Sequence, residues 1–323
     1  MHMKKRMHIV IVAAFAAALV AAFALVGCSS GGSSAASSAS GSAAASSASA
    51  SAASASASSA AASGEKVELQ IFAANSLTKA MAEAQELYTK NNPNVTFADT
   101  QYKSSGELNS MLEGGAYADI EITASKGTMD TAEEKGYINK DTRITMFKND
   151  LVMVTKADNS NITSVTLDDI ASGKYTICVG DDSVPAGNYA NQSLSTVGCF
   201  KDPDGKTGSE SAGKANGTDA YAGTPIDGKV VTDTSVGNVC QHAASGDVDI
   251  AFVYTSDVER FAEKSPVKVV GTVPADTHKA ITYPGAVCTQ SKNADAAKAF
   301  LDWCMTDKGA AEIWQKWGFE LAS

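Results

Sequence analysis

The sequence predicts an α/β fold built largely from parallel sheets. Short apolar runs with strand character alternate with amphipathic helical patterns from Glu65 to Ser323. This alternation is typical of sheets whose strands are joined by helices. The region is also long enough for one large domain or for two lobes with separate cores.

Three strand–helix repeats come first. In the first helix, apolar side chains recur on one face at Leu77, Met81, Ala84 and Leu87, which is the spacing of a helix packed on a core. A glycine pair at 114–115 ends the second helix. We expect strands at Val67–Ala73, Asn94–Thr100 and Asp119–Thr123, and helices at Ser76–Lys90, Gly106–Leu112 and Thr128–Glu134.

The remaining elements continue the pattern up to two closing helices. We expect strands at Leu151–Thr155, Tyr175–Val179, Ile250–Tyr254, Val267–Gly271 and Ile281–Val287. We expect helices at Leu167–Ala171, from about Ala186, at about Gly237–Ala244, at Ala294–Met305 and at Ala310–Trp317.

An insertion at 201–229 interrupts this pattern. It is rich in Gly, Asp, Ser and Lys and nearly free of large apolar side chains, which predicts a long surface loop. We interpret it as disordered. We therefore expect deletion of residues 206–218 to leave folding and ligand affinity nearly unchanged.

The N-terminal residues predict export and a membrane anchor. A basic start at 4–6 precedes the apolar stretch Ile9–Val26, and Cys28 ends the run Leu25–Cys28. This order resembles the signal and lipobox of bacterial lipoprotein precursors, in which the signal is cut before the cysteine and the cysteine is acylated. The resemblance implies a signal peptide at 1–28, lipidation of Cys28 and an extracytoplasmic location at the cell membrane. An uncleaved transmembrane helix is the alternative, since the stretch is nearly long enough to span a bilayer.

Residues 29–64 predict a flexible tether. All 36 of them are Ser, Ala or Gly, and such a composition cannot bury enough apolar surface to form a core. As a random coil the segment has a root-mean-square reach of roughly 30–36 Å. The folded part would therefore work close to the membrane.

Charge and cysteine content narrow the function classes. The formal net charge is −10, and it becomes −13 without the basic residues 4–6, so we expect no nucleic-acid partner and no binding to anionic lipid surfaces. Besides Cys28 there are five cysteines without CxxC spacing, which argues against a redox motif or a zinc site. One disulfide remains open among Cys178, Cys199, Cys240, Cys288 and Cys304.

Four predicted helices open on small uncharged residues directly after a strand. The openings are Ser76, Ser104–Gly106, Ser183–Gly187 and Ser235–Gly237. Each serine alone is explained as a helix N-cap. Together they would lie at the carboxyl ends of strands, where α/β sheets bind ligands and helix N-termini favour an anion. Because Lys103 is the one cation near these openings, we expect neutral donors, which suit a fully deprotonated oxyanion and disfavour phosphate.

Several of these segments resemble motifs of the molybdate-binding proteins of bacterial ABC transporters. The most specific match is Gly180–Ala190, with the sequence GDDSVPAGNYA. Further matches are FAANSLT at 72–78, SSG at 104–106, ADIEITAS at 118–125, AFVYTSD at 251–257, VVGT at 269–272, Tyr283–Pro284 and WGF at 317–319. The resemblance covers nearly all of 67–319 apart from the insertion.

The resemblance implies a two-lobed fold of the periplasmic-binding-protein type II class, with mixed, mostly parallel sheets and a hinge between the lobes. Lobe 1 would comprise 65–149 and 280–323, and lobe 2 would comprise 150–279. The implied oxyanion ligands are the hydroxyl and N–H groups of Ser76 and Ser105, the N–H groups of Ala186 and Val236, and the hydroxyl of Tyr254. The Val236 assignment rests on its spacing back from Tyr254.

The implied function is capture of molybdate or tungstate and its delivery to the permease of an ABC transporter. The protein would be a lipid-anchored monomer without a cofactor, without enzymatic activity and without a site for a free metal cation. A binding protein for sulfate or another tetrahedral oxyanion is the alternative within this class. Two departures from the family pattern bear on ligand preference: Asn75, where the family commonly has Ala, and the insertion.

An exported hydrolase and a metal-binding lipoprotein are the competing classes. The sequence has no GxSxG nucleophile elbow, and His242 and His278 are the only histidines after residue 65. Two separated histidines without a paired motif make a weak ligand set, so we interpret both as structural or solvated. Tyr254, taken alone, is also compatible with a core residue whose hydroxyl reaches water.

Overall fold

The computed structural model describes residues 66–322. The predicted signal, Cys28 and the tether lie outside the described residues, so their assignments stay predictions. In the described part of the chain, no helix is both long and apolar enough to cross a membrane.

Strands and helices alternate along the described residues, as the sequence predicts. The strands are β1 Val67–Leu69, β2 Ile71–Ala74, β3 Val95–Phe97, β4 Gln101–Lys103, β5 Ile120–Ile122, β6 Ile144–Lys148, β7 Leu151–Lys156, β8 Ile177–Gly180, β9 Val230–Asp233, β10 Ile250–Tyr254, β11 Val267–Thr272, β12 Thr282–Val287 and β13 Glu320–Leu321. The helices are α1 Thr78–Asn91, α2 Ser105–Glu113, α3 Lys126–Glu134, α4 Leu167–Ala171, α5 Pro185–Thr196, α6 Val236–Ser245, α7 Thr255–Phe261, α8 Ala294–Thr306 and α9 Lys308–Lys316. A 3₁₀ turn, Asn75–Leu77, leads into α1.

Two main sheets form the framework. The first has the order β13-β6-β12-β5-β2-β4, and the second has the order β11-β7-β10-β8-β9. The chain passes from the first sheet to the second between β6 and β7 and returns between β11 and β12. We call the parts built on the two sheets the first and second lobes.

The sheets contain more antiparallel pairs than the sequence predicts. Parallel pairing is limited to β4-β2-β5 in the first sheet and β10-β8-β9 in the second. The strands beside the two lobe crossings, β6, β7, β11 and β12, pair only antiparallel with their neighbours. Strands β7 and β12 enter their sheets from the other lobe. They therefore lack the helical crossover within one sheet that parallel neighbours usually have.

The first predicted strand divides into two, and the second is shorter than predicted. The first divides at Gln70, whose backbone N–H donates to Asp119 Oδ2 at 2.9 Å, so β1 pairs with β3 outside the main sheet while β2 enters it. The second predicted strand, Asn94–Thr100, forms only β3, and β4 begins after its end. Five strands and helices have no counterpart among the predicted ones: β4, β6, β9, β13 and α7.

The insertion is ordered, and the interpretation of it as disordered is wrong. It packs along α5, where Asn191 Nδ2 donates to the Gly213 carbonyl at 2.9 Å and Gln192 Nε2 donates to the Ser211 carbonyl at 3.0 Å. Asp182 accepts hydrogen bonds from two further backbone N–H groups of the insertion. The segment is held by buried polar side chains of α5, which its own apolar content does not reveal.

The five cysteines after Cys28 are free and buried. No disulfide forms among them within 66–322. Burial raises the pKa of the Cys178 thiol to about 12, so this side chain stays a neutral core group. Cys178 and Cys304 are both core residues with no exposed surface.

Candidate functional site

The five predicted ligand residues line one small cavity between the lobes. Ser76 and Ser105 come from the first lobe, at the turn after β2 and the first position of α2. The second lobe contributes Ala186, Val236 and Tyr254, from the starts of α5 and α6 and the end of β10. The cavity has about 10 Å³ of space for the centre of a water-sized sphere, which is about the room that one water molecule needs.

The two serines of the first lobe are buried and have oriented hydroxyl groups. Ser76 Oγ lies 2.9 Å from the hydroxyl of Tyr283. Ser105 Oγ accepts a hydrogen bond from the Ala124 N–H at 2.9 Å. Because that bond uses an oxygen lone pair, the Ser105 hydroxyl proton is left to donate.

The start of α5 is held close to the end of β8 by two glycines. A Cβ on Gly187 would lie 2.0 Å from the carbonyl oxygen of Gly180, so this approach requires glycine. Pro185 occupies the first turn, and no side chain caps the helix. The N–H of Ala186, in that uncapped first turn, has no acceptor within the helix.

The serines at the helix openings separate into caps and non-caps. Ser235 is a cap, since its Oγ accepts from the Asn238 N–H at 3.2 Å. Ser104 and Ser183 bond to each other across the lobes, with 3.0 Å between their Oγ atoms. The α2 and α5 openings and the 3₁₀ turn at Ser76 have no side-chain cap. Three of the four openings therefore retain first-turn N–H groups that helix geometry leaves without partners.

Tyr254 has a buried hydroxyl without a hydrogen-bond partner among residues 66–322. Its side chain is fully buried, and burial raises the pKa of the phenol well above its ordinary value. The group is therefore a neutral O–H donor. A buried, unpartnered hydroxyl is costly. The hydroxyl does not reach water, so the alternative of a core tyrosine with an exposed hydroxyl does not describe Tyr254.

The residues that face the cavity carry little charge. Lys103 lies at its edge and pairs with Glu107 at 3.0 Å, and both side chains are exposed. Sequence reasoning missed Arg260, which reaches the back of the site from α7. Its Nη1 donates to the carbonyl oxygen of Asn75 at 2.9 Å, and its Nη2 donates to the buried carboxylate of Asp257. The Asp257 carboxylate balances that cation, which fits the expected site of neutral donors.

The competing sites receive no support from the two histidines. His242 Nε2 lies 3.2 Å from Asp233 Oδ2, and its other ring nitrogen faces Asp247. His278 Nδ1 contacts the carbonyl oxygen of Lys279 at 2.8 Å. Neither ring hydrogen-bonds a hydroxyl or thiol within the described chain. The same residues contain no group of three His, Cys, Asp or Glu side chains that could hold a metal ion.

Two lobes that meet over a small cavity of hydrogen-bond donors define a solute-binding protein. The chain belongs to the family of bacterial extracellular solute-binding proteins, whose model matches residues 69–320. It is 30% identical over 265 residues to the molybdate-binding protein ModA of Escherichia coli (strain K12). That match covers 79% of this chain and 89% of that protein.

Two further comparisons agree. The chain is 28% identical over 258 residues to a Bacillus subtilis (strain 168) protein named "Putative ABC transporter substrate-binding lipoprotein YvgL", with 80% of this chain and 88% of that one covered. A solved structure described as the "substrate binding domain of putative molybdenum ABC transporter from Clostridium difficile" has 32% identity and a TM-score of 0.56, with 80% of this chain and 100% of that one covered. The expected two-lobed type II fold is confirmed.

Proposed function

We propose that this protein captures molybdate or tungstate outside the cytoplasm and delivers it to an ABC transporter permease. The observation that carries the proposal is the Tyr254 hydroxyl, which is buried and unpartnered at a cavity where Ser76, Ser105, Ala186 and Val236 also meet. Hydrogen-bond donors that two lobes bring to one cavity are suited to an anion that accepts bonds from every side. The relatives with molybdate or molybdenum in their names support the choice of ion.

Neutral donors favour a fully deprotonated anion. The side-chain oxygen of Asn75 is an acceptor at the cavity wall, but it already accepts from the Gly237 N–H at 3.2 Å and from Arg260 Nη1 at 3.0 Å. A protonated phosphate would therefore bring an O–H group that this acceptor cannot serve. Molybdate, tungstate and sulfate have no such proton. A site shaped for the larger anions would leave sulfate with stretched hydrogen bonds.

Calorimetric titration of the chain from Ser29 onward tests the proposal. We expect tight binding of molybdate and tungstate, much weaker binding of sulfate and almost no heat with phosphate. Equal affinities for sulfate and molybdate would instead assign the protein to sulfate. Absence of binding by all four anions would contradict the proposal.

The lobes and the anchor are part of the same proposal. Residues 65–149 with 280–323 would form lobe 1, and 150–279 would form lobe 2. Acylation of Cys28 and the tether at 29–64 would hold a monomer near its permease. Cys28→Ser should move the protein from the membrane fraction to the soluble fraction, whereas Cys199→Ser, at a buried core thiol, should leave it in the membrane. Equal partitioning of the two variants would exclude a lipid anchor at Cys28.

A further inference from the structure

Asn75 joins the two lobes directly beside the anion cavity. It precedes Ser76 in the turn after β2, which belongs to the first lobe. Its side-chain oxygen accepts from the Gly237 N–H at 3.2 Å and from Arg260 Nη1 at 3.0 Å. Both donors belong to second-lobe helices, α6 and α7. The backbone carbonyl oxygen of Asn75 accepts a further bond from Arg260 Nη1 at 2.9 Å.

Arg260 is held in place from its own lobe. Its side chain is 9% exposed, and Nη2 donates to Asp257, whose side chain is fully buried. The other carboxylate oxygen of Asp257 accepts from the Tyr254 N–H at 3.1 Å. One connected set of bonds therefore runs from the first lobe through Asn75, Arg260 and Asp257 to the backbone of Tyr254.

The contact also depends on the absence of a side chain at Gly237. A Cβ at this position would lie 2.8 Å from Asn75 Oδ1 and 3.1 Å from Arg260 Nη2. Gly237 directly follows Val236, just as Asn75 directly precedes Ser76. The bonds therefore connect Asn75 and Gly237, which are the chain neighbours of the proposed anion donors Ser76 and Val236.

We propose that Asn75, Gly237 and Arg260 form an interlobe latch that sets how slowly the bound oxyanion is released. The inference rests on the proposed function. Asn75 acts as a positioning residue: it holds the start of α6 and the last turn of α7 against the turn that carries Ser76. The lobes must break its bonds before the cavity opens. On this proposal the anion enters while the lobes are apart, and the latch keeps part of the anion-free molecules closed. Loss of the latch should therefore accelerate dissociation more than it changes association.

Stopped-flow measurement of molybdate association and dissociation tests the latch in the chain from Ser29 onward. Asn75→Ala removes the side-chain bonds, one of them to a charged donor, and should accelerate dissociation by about ten-fold or more. The association rate should change little. Asn109→Ala is the matched control, since Asn109 Nδ2 bonds only within the first lobe, to the Thr128 carbonyl at 3.0 Å, and its dissociation rate should equal that of the wild type.

Two further measurements keep the test decisive. Arg260→Lys retains a cation beside Asp257 but loses the planar donor fork, so it should also dissociate faster. Small-angle scattering of the anion-free protein should give a larger radius of gyration for Asn75→Ala than for Asn109→Ala. This second readout does not need an anion, so it still tests the latch if molybdate binding fails. Unchanged dissociation and unchanged radius in Asn75→Ala, or a loss confined to the association rate, would overturn the inference.

Discussion

Removing the Tyr254 hydroxyl should weaken anion binding and at the same time stabilise the anion-free protein. Tyr254→Phe deletes one oxygen that is fully buried and has no partner among residues 66–322. An ordinary buried tyrosine behaves differently, because loss of a bonded hydroxyl destabilises the fold. The opposite signs of the two effects distinguish a ligand donor from a structural group.

The magnitudes follow from the surroundings of the hydroxyl. A hydrogen bond to a charged ligand contributes about 1.5–3 kcal/mol, and the cost of an unsatisfied buried group is about 1–3 kcal/mol. We therefore expect Tyr254→Phe to lose roughly ten- to a hundred-fold in molybdate affinity. Removal of the orphan group should raise the melting temperature of the anion-free protein by a few degrees, since about 1 kcal/mol corresponds to roughly 2–4 °C at this size.

Calorimetric titration and thermal melting without anion are the two assays. Tyr283→Phe is the matched control for melting, because the Tyr283 hydroxyl is equally buried but lies 2.9 Å from Ser76 Oγ. Its loss should lower the melting temperature. Unchanged affinity in Tyr254→Phe, or a drop in its anion-free melting temperature like that of the control, would refute the ligand role.

Three further predictions follow from single residues. Ser105→Ala should weaken molybdate binding roughly ten- to a hundred-fold, whereas Ser235→Ala should cost about 1 kcal/mol of stability as a lost cap with little change in affinity; equal affinity losses in titration would remove the distinction. Gly213→Ala should lower the melting temperature more than Gly217→Ala. Both residues have positive φ, but only a Cβ at Gly213 would strike the carbonyl oxygen of Asn188, at 1.9 Å. Equal losses of melting temperature would show that the insertion is not packed on α5. Burial without a partner raises the pKa of Glu121 to about 8 from 4.5, so the folded state keeps a proton that the unfolded chain has lost. The free energy of unfolding should therefore fall between pH 4.5 and 8, by up to about 5 kcal/mol. Urea unfolding at pH 5 and pH 8 should show a smaller fall for Glu121→Gln, and an unchanged fall would contradict the raised pKa of Glu121.

The packing of Gly213 also reverses the expectation for the loop deletion. Deletion of 206–218 removes Ser211 and Gly213, whose carbonyls accept from Gln192 and Asn191. Those two amide groups would then lose their partners at buried positions. We now expect the deletion to destabilise the second lobe.

Local pattern was sufficient for most of the fold. The helical spacing of Leu77, Met81 and Ala84 identified α1, and these residues are fully buried. Strand β9 was missed because its side chains are half-buried or exposed, so it lacks an apolar run. Helix α7 was missed because it is short and lacks a clear apolar face. The ion pair between Asp257 and Arg260 stabilises it instead.

The residues that line the cavity were predictable from the sequence, but the hydrogen bonds behind them were not. Small residues at helix openings identify Ser76, Ser105 and Ala186 without knowledge of the fold. The bond between Asn75 and Arg260 joins residues 185 positions apart, and no local pattern encodes it. The same holds for the insertion, since its anchors lie on α5.

A crystal structure with molybdate, recorded at the molybdenum absorption edge, tests the central claim most directly. We expect one anomalous peak in the cavity between the lobes, with anion oxygens at hydrogen-bond distance, about 2.7–3.2 Å, from the Ser76, Ser105 and Tyr254 hydroxyls and from the N–H groups of Ala186 and Val236. A peak anywhere else on the molecule, or none with the crystal saturated in molybdate, would contradict the account.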